Sequence, residues 1–247
     1  MVYAQTIRSS RPANRSRSWL RRILLILFGI VIVMPVALVL LFRFVPPPIT
    51  PLMVARWLAG GSITQTWIPL SEVSPNLVRA VIASEDTKFC SHHGFDWDAI
   101  DRALDEDAFG DRLRGGSTIS QQTAKNLFLS PSRSWTRKGI EAWFTVLLEE
   151  LWPKQRIIET YLNIAEWGPQ RFGAEAAARA EFHKSASMLT VLEAARLATV
   201  LPNPRGYRAG KPGPYVLRQS NTIAARIPVV KRDRLDSCIY GDSRGSG

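Results

Sequence analysis

Glu85 follows Val81 and Ile82 by four and three residues, at the end of an apolar helical face that begins with Leu77 and Val78. A carboxylate at that point loses hydration, holds its proton more tightly, and is suited to general acid or base work near neutral pH. From spacing alone, an ordinary helix end with solvated charges is the preferred reading of Glu85-Asp86-Thr87-Lys88. His92, His93 and the distant His183 lack the spacing of metal ligands, and Cys90 has no partner nearby.

A second stretch, Gly115-Gly116-Ser117-Thr118-Ile119-Ser120-Gln121-Gln122, is a glycine- and hydroxyl-rich turn leading to Lys125 and Asn126. Turn amides and hydroxyls of this kind can hold phosphate oxygens. It lacks the Gly-Lys-Ser/Thr ending of a nucleotide-binding loop, so a plain loop stands beside the phosphate reading. Arg133, Arg137 and Lys138 follow, just before a predicted helix that opens near Glu141 and carries Phe144 and Leu147. Cations gain nothing from a helix N-terminus, whose dipole favours anions. Their clustering points to an anion held between side chains and helix end, with a solvated basic surface as the alternative. One acid in a dry site and a second among cations is the division of labour expected of glycosyl chemistry.

The elements that must carry these residues read as helices almost throughout. Ser74-Pro75 is an N-cap and first-turn pair; Ile140, Phe144, Leu147, Leu148 and Leu151 repeat at helical spacing up to Pro153; Ile157, Ile158, Tyr161 and Leu162 make the next helix. Ala174 to Phe182 is alanine-rich, and Thr190 with Glu193 forms a capping box for a helix stopped by Pro202 and Pro204. No alternating strand of useful length and no internal repeat is visible, so the fold is mainly α. The segment from Lys211 on, rich in Pro, Arg and Gly, is expected to be peripheral or frayed.

The 247 residues, 46% hydrophobic and 21% charged, leave room for one sizeable domain and an appendage and exclude a disordered chain. The net charge of +11 suggests nucleic acid or an anionic membrane until it is located. Residues 1–48 hold seven arginines and no acid, leaving 25 basic against 21 acidic residues beyond. Ile23 to Phe42 is uncharged for 20 residues, long enough as a helix to cross roughly 30 Å of hydrocarbon. No small-residue cleavage site follows, so it reads as a retained anchor. Pro35 is tolerable inside it because neighbouring groups can satisfy the freed carbonyl. Six arginines before the span and one after it put the N-terminus in the cytoplasm and residues 49–247 outside, on the periplasmic face in a bacterium. The expected divisions are a basic tail (1–22), a transmembrane helix (23–42), a membrane-proximal linker (43–69) stiffened by Pro46 to Pro51, a catalytic domain (70–210) and a peripheral segment (211–247). Met53 to Trp67 either rests on the bilayer or forms a buried helix. Cys90 and Cys238 could bridge in an oxidising compartment, but nothing in the sequence brings them together.

Five ordered motifs over roughly residues 70–205 resemble the peptidoglycan glycosyltransferases of glycosyltransferase family 51. They are Glu85-Asp86 with Phe89, His92 and Gly94; Gly115 to Ile119 with Gln121-Gln122; Arg137-Lys138 with Glu141; Lys154 to Glu159 with Tyr161-Leu162-Asn163; and Gly173 with Glu175-Ala176-Ala177 and Phe182. The resemblance implies a lysozyme-like helical domain with a smaller membrane-associated lobe, which polymerises lipid II and extends a growing glycan strand. Glu85 matches the family's general base and Glu141 its second catalytic glutamate, near the leaving diphosphate. Lys125, Arg133, Arg137 and Lys138 match the positions that hold diphosphate, with Ser117, Gln121 and Asn126 around them. The implied outcome is inversion to a β-1,4 bond, with no cofactor required and room for a divalent cation, Mg or Mn, at the diphosphate.

Other cell-wall synthases are the implied neighbours, and the absence of Ser-x-x-Lys and Lys-Thr-Gly argues against a penicillin-binding domain in the same chain. Ser120, Ile158 and Glu181 depart from the pattern, and Glu181, where an aromatic is usual, puts local packing in doubt. The rivals are a lysozyme-type lytic enzyme, which has no need of four diphosphate cations, and a non-catalytic anchored scaffold. Nucleic acid is the least expected partner, because the arginine-rich tail lies across the membrane from a nearly balanced domain.

Overall fold

The computed structural model describes residues 15–101, 116–132 and 134–241. Its first element is one rod, made of α1 (Arg15–Phe28), a π-helical stretch at Gly29–Val33 and α2 (Met34–Phe44). There follow α3 (Pro51–Leu58), α4 (Pro75–Glu85), α5 (Ile119–Phe128), α6 (Trp135–Leu151) and α7 (Lys154–Ile164). The chain closes with α8 (Ala174–Phe182), α9 (Val191–Val200), α10 (Pro214–Arg232) and the short α11 (Ser237–Tyr240). Three strands of two or three residues, β1 (Thr64–Gln65), β2 (Glu166–Gly168) and β3 (Arg171–Phe172), pair in the order β1-β3-β2.

Helix α4 is the centre. Leu77, Val78, Ala80, Val81, Ile82 and Ala83 are all buried, so nearly its whole circumference needs covering, as expected of a helix that is apolar on every side. Helices α9 and α10 cover it, while α5 packs on α6 and α7. Contrary to the expected peripheral or frayed segment, residues 211–241 are therefore part of the packed domain. Val216, Ser220, Ile223, Ile227 and Val230 recur at alternating four- and three-residue intervals, and all are buried. Ser220 interrupts the apolar stripe and Arg and Gln surround it, which hid the helix among polar residues. Pro214 sits in its first turn, where the missing N–H costs nothing. Cys90 and Cys238, for which the sequence offered no meeting point, form a disulfide with Cα atoms 5.3 Å apart.

Trp19–Phe44 is the one helix among the described residues that is long and apolar enough to cross a membrane, with 26 residues and a mean hydropathy of 3.2 in its most apolar stretch. Pro35 cannot donate to the carbonyl of Val31, four residues back. The Trp143 indole of α6 donates to that oxygen at 3.1 Å, so the catalytic domain repairs the defect that the proline makes. Trp152 Nε1 donates to Val39 O at 2.7 Å, and Arg156 donates to Phe42 O and Val45 O, capping the end of α2. The prolines after the rod do not hold anchor and domain apart: α2 lies directly against α6, and Pro47 and Thr50 are buried. In α3 Met53 is buried, while Trp57 and Leu58 are 61% and 73% exposed.

Candidate active site

Glu85 is the last residue of α4, and Gln122 of α5 donates to its Oε2 at 2.9 Å. The Tyr161 hydroxyl of α7 donates to the other end of the Gln122 amide at 3.2 Å. This fixes which way the amide points, with its NH2 on the carboxylate. Burial raises the pKa of Glu85, the Gln122 bond and the Lys125 charge oppose the rise, and neighbouring Asp86 adds to it. Tyr161 is fully enclosed, and burial first, then Glu85 and Asp86, push its pKa well above 10, so it stays a donor. Gln122 and Tyr161 belong to the motifs, but spacing does not single them out, because Gln122 reaches Glu85 and Tyr161 reaches Gln122 from different helices.

Asp86 follows the helix end and organises the turn around it. His92 Nδ1 accepts from the Gly94 N–H at 3.1 Å, which leaves Nε2 as donor to Asp86 at 2.9 Å. The other demand on Asp86 is the Ile119 N–H at 2.9 Å, at the start of α5. The N-terminus of α5, read from sequence as a place for phosphate or a plain loop, is thus capped by an aspartate. Thr118 and Gln121 complete a capping box there, and the Thr118 hydroxyl donates to Gly94 O at 2.7 Å. Gln121 is buried in that box, engaged with Thr118. Ser117 and Gly116 line a cleft of about 230 Å³ with Glu85, Ser84 and Thr87, and Arg226 of α10 lines it as well.

Lys125 and Asn126 line a second cleft of about 270 Å³ on α5, with Arg137 of α6 and Leu52 of α3. Burial lowers the pKa of Lys125; Arg137 and Lys138 lower it further, while Glu141 and Glu85 oppose. The Lys125 charge therefore acts on both glutamates and connects the two clefts. Helix α6 begins earlier than expected, at Trp135 with Ser134 as N-cap, so Arg137 and Lys138 lie in its first turn instead of before it. That phase directs both onto Glu141, which is 3% exposed. Arg137 Nη1 meets Glu141 Oε2 at 2.6 Å and Lys138 Nζ meets Oε1. The Arg137 Nε is buried and has no hydrogen-bond partner among the described residues. Arg133 lies outside the described residues.

The expectation of a divalent cation can be tested on the donor set. Both oxygens of Glu141 are engaged by cations, and those of Asp86 by His92 and the Ile119 N–H. Among the described residues no three His, Cys, Asp or Glu side chains converge. A dication at Glu141 would have to displace ammonium or guanidinium groups beside a third cation, Lys125. These residues do not fit a resident metal.

A family model described as Transglycosylase matches residues 53–228, more than half of the chain. The chain is 52% identical over 221 residues to the biosynthetic peptidoglycan transglycosylase of Rhodospirillum centenum, covering 89% of this chain and 95% of that one. It is 49% identical to the biosynthetic peptidoglycan transglycosylase of Caulobacter vibrioides, covering 90% and 97%. The chain belongs to the transglycosylase family.

Seen as a transglycosylase with a lysozyme-like helical domain, the molecule divides its motifs into those that face the clefts and those that hold them. Lys154 donates to His92 O and Glu149 at 2.8 Å and lies 4.6 Å from the Phe89 ring, bracing the turn after Glu85. Asn163 pairs through both ends of its amide with the backbone of Ile68, at 2.9 Å each. Glu175 accepts from the Ala186 N–H at 2.7 Å. Gly173 has φ of +88°, and a Cβ there would lie 3.0 Å from Asn163 O. Ser120, a departure from the family pattern, keeps its hydroxyl at work on Glu149. Glu181, the other departure of interest, pairs with Arg171 at 2.5 Å and accepts from the Gly210 N–H at 2.9 Å, so polar contacts replace aromatic packing.

Proposed function

We propose that this membrane-anchored transglycosylase polymerises lipid II into β-1,4-linked glycan with inversion, releasing undecaprenyl diphosphate. The observation that carries the reading is the arrangement around Lys125: a poorly hydrated carboxylate at one cleft, and a cationic cleft on the other side of the same lysine. Glu85 takes the proton from the acceptor's 4-hydroxyl. The hydroxyl oxygen forms a bond to the donor's anomeric carbon as the bond to phosphate breaks, and the electron pair leaves with the diphosphate. Lys125 and Arg137 stabilise that developing charge, and the unpaired Arg137 Nε supplies a donor already in place. Glu141 keeps Arg137 and Lys138 aimed and charged. Lys138 is half exposed and free at its outer side to meet solvent or substrate.

Leu52 on the wall of the second cleft, with Trp57 and Leu58 exposed further along α3, supports entry of the lipid tail from the bilayer side. The excess of arginine before the rod and the disulfide beyond it both support a catalytic domain outside the cytoplasm, in the periplasm, anchored in the inner membrane. Other cell-wall synthases are the expected partners, because a glycan polymer still needs cross-linking and the chain carries no Ser-x-x-Lys motif.

The test is incubation of the full chain in detergent with lipid II. Long glycan and free lipid diphosphate are expected, with no cleavage of preformed polymer. Release of fragments from finished glycan, without net synthesis, would replace the reading with lytic chemistry.

A further inference from the structure

We propose that the C-terminal segment Asp236–Tyr240 is a clip that holds Glu85 in its working position from both sides, so that full transfer activity requires the Cys90–Cys238 cross-link. Arg79 lies six residues before Glu85 on the same helix, and Cys90 lies five residues after it. The clip grips both. Arg79 Nε pairs with Asp236 Oδ2 at 2.6 Å, with both side chains largely buried, and its guanidinium lies 5.1 Å from the Tyr240 ring. Cys238, between these two contacts, is bonded to Cys90.

Everything that orients Glu85 hangs on the stretch so bracketed. Asp86 and His92 set the turn after it, and Cys90 lies between them. The clip also sits directly after α10, whose Arg226 lines the Glu85 cleft. A cross-link over 148 residues of sequence thus ties the turn after Glu85 to the segment that follows the Arg226 helix. Without the cross-link, the Arg79–Asp236 ion pair and the Tyr240 ring would still tie the clip to α4, but nothing covalent would hold the turn after Glu85.

The inference rests on Glu85 being the base. The experiment compares wild type with the double variant Cys90→Ser/Cys238→Ser, each as full chain in detergent with lipid II, following kcat, KM, helix content and the pH profile. A misplaced base costs rate rather than substrate binding, so kcat is expected to fall about tenfold to a hundredfold with KM within about twofold. The acid limb of kcat is expected to move to lower pH as Glu85 gains water; Lys125, Asp86 and Tyr161 face it throughout and are unchanged by the substitutions. Should the double variant not fold, the same readings are taken on folded wild type treated with a dithiol, which gives two electrons and two protons to the cysteines and closes to its own disulfide. Reoxidation by a small-molecule disulfide should then restore the rate. Unchanged kcat without the cross-link, with Glu85→Gln inactive, overturns the clip alone. An active Glu85→Gln overturns the base assignment beneath it. A fall in kcat that only mirrors lost helix content, with the acid limb unmoved, also overturns the clip, because it marks the bridge as a general staple.

Discussion

Replacing Glu141 by Gln separates a glutamate that handles protons from one that keeps cations in place. The substitution preserves shape and removes the charge that faces Arg137 and Lys138. Breaking a buried ion pair costs about 3–5 kcal/mol. Lys138 is 44% exposed, and a solvated pair is worth about 0–1 kcal/mol, so most of the loss falls on Arg137. The amide oxygen keeps one acceptor for the guanidinium, and a net cost of about 2–3 kcal/mol follows. At about 2–4 °C per kcal/mol for a chain of this size, Tm should drop by about 5–10 °C.

The kinetic effect is directional. Lys125 already has a lowered pKa, and Glu141 is the first charge opposing that. Without it, Lys125 loses its proton at lower pH than in wild type. Since the charged form is the one that holds diphosphate, the alkaline limb of kcat/KM for lipid II should move towards neutrality. Lipid II turnover measured across the neutral-to-alkaline range, with melting curves on the same samples, checks both parts. An alkaline limb that stays in place while Tm falls would refute the assignment of Lys125 as the cation that Glu141 supports. A kcat collapsed at every pH, with that limb unmoved, would show that Glu141 works in the chemical step itself.

Glu85→Gln should lower kcat by about 10²–10⁴-fold, the usual worth of a positioned base, in the same polymerisation assay. It should also change the pH dependence of stability. With a folded pKa above its ordinary value of 4.5, Glu85 binds its proton more tightly in the native state, so wild-type stability falls as pH rises through the interval between the two values. Melting curves of the variant should lack that fall, and an identical pH dependence would contradict the burial argument. Arg226→Ala should raise KM for lipid II about fivefold, the equivalent of about 1 kcal/mol for an exposed charge-assisted contact, with kcat kept; an unchanged KM would remove Arg226 from substrate contact. Gly173→Ala forces a side chain into a positive-φ conformation against Asn163 O and should cost about 1–3 kcal/mol in denaturant unfolding; a neutral result would show that the β3–α8 junction can relax.

Much of the helical order was legible because its signals are local. Ser74-Pro75, the Thr190–Glu193 capping box and the alanine-rich run from Ala174 to Phe182 each specify an element through contacts within a few residues. Helix α10 was missed because a single Ser220 and many cations break up its apolar stripe, and because the need it fills belongs to α4. The pairing of Cys90 with Cys238 stays open in the sequence for a related reason: two cysteines 148 residues apart are brought together only by tertiary packing. Glu85 could be read as a dry carboxylate from the stripe before it, and burial does raise its pKa. At the turn before α5 the Ile119 amide is taken by Asp86, which is distant from it in sequence and so could not be named as its partner. Gln121 and Gln122 are adjacent and chemically alike, yet one caps a helix and the other holds Glu85.

Neighbours along the chain suffice to specify an uncharged run long enough to span a bilayer, helices with their caps, and an acid at the end of an apolar stripe followed by a basic cluster. Tertiary structure decided which of these groups meet. Lys125 lies between the fields of two glutamates, Trp143 satisfies the carbonyl that Pro35 leaves open, α10 brings Arg226 to the Glu85 cleft, and Cys238 beyond it bonds to Cys90 after the Glu85 helix. The reason is physical: propensity and capping act over about one helical turn, whereas charge coupling and burial are set by through-space distance, which only packing defines.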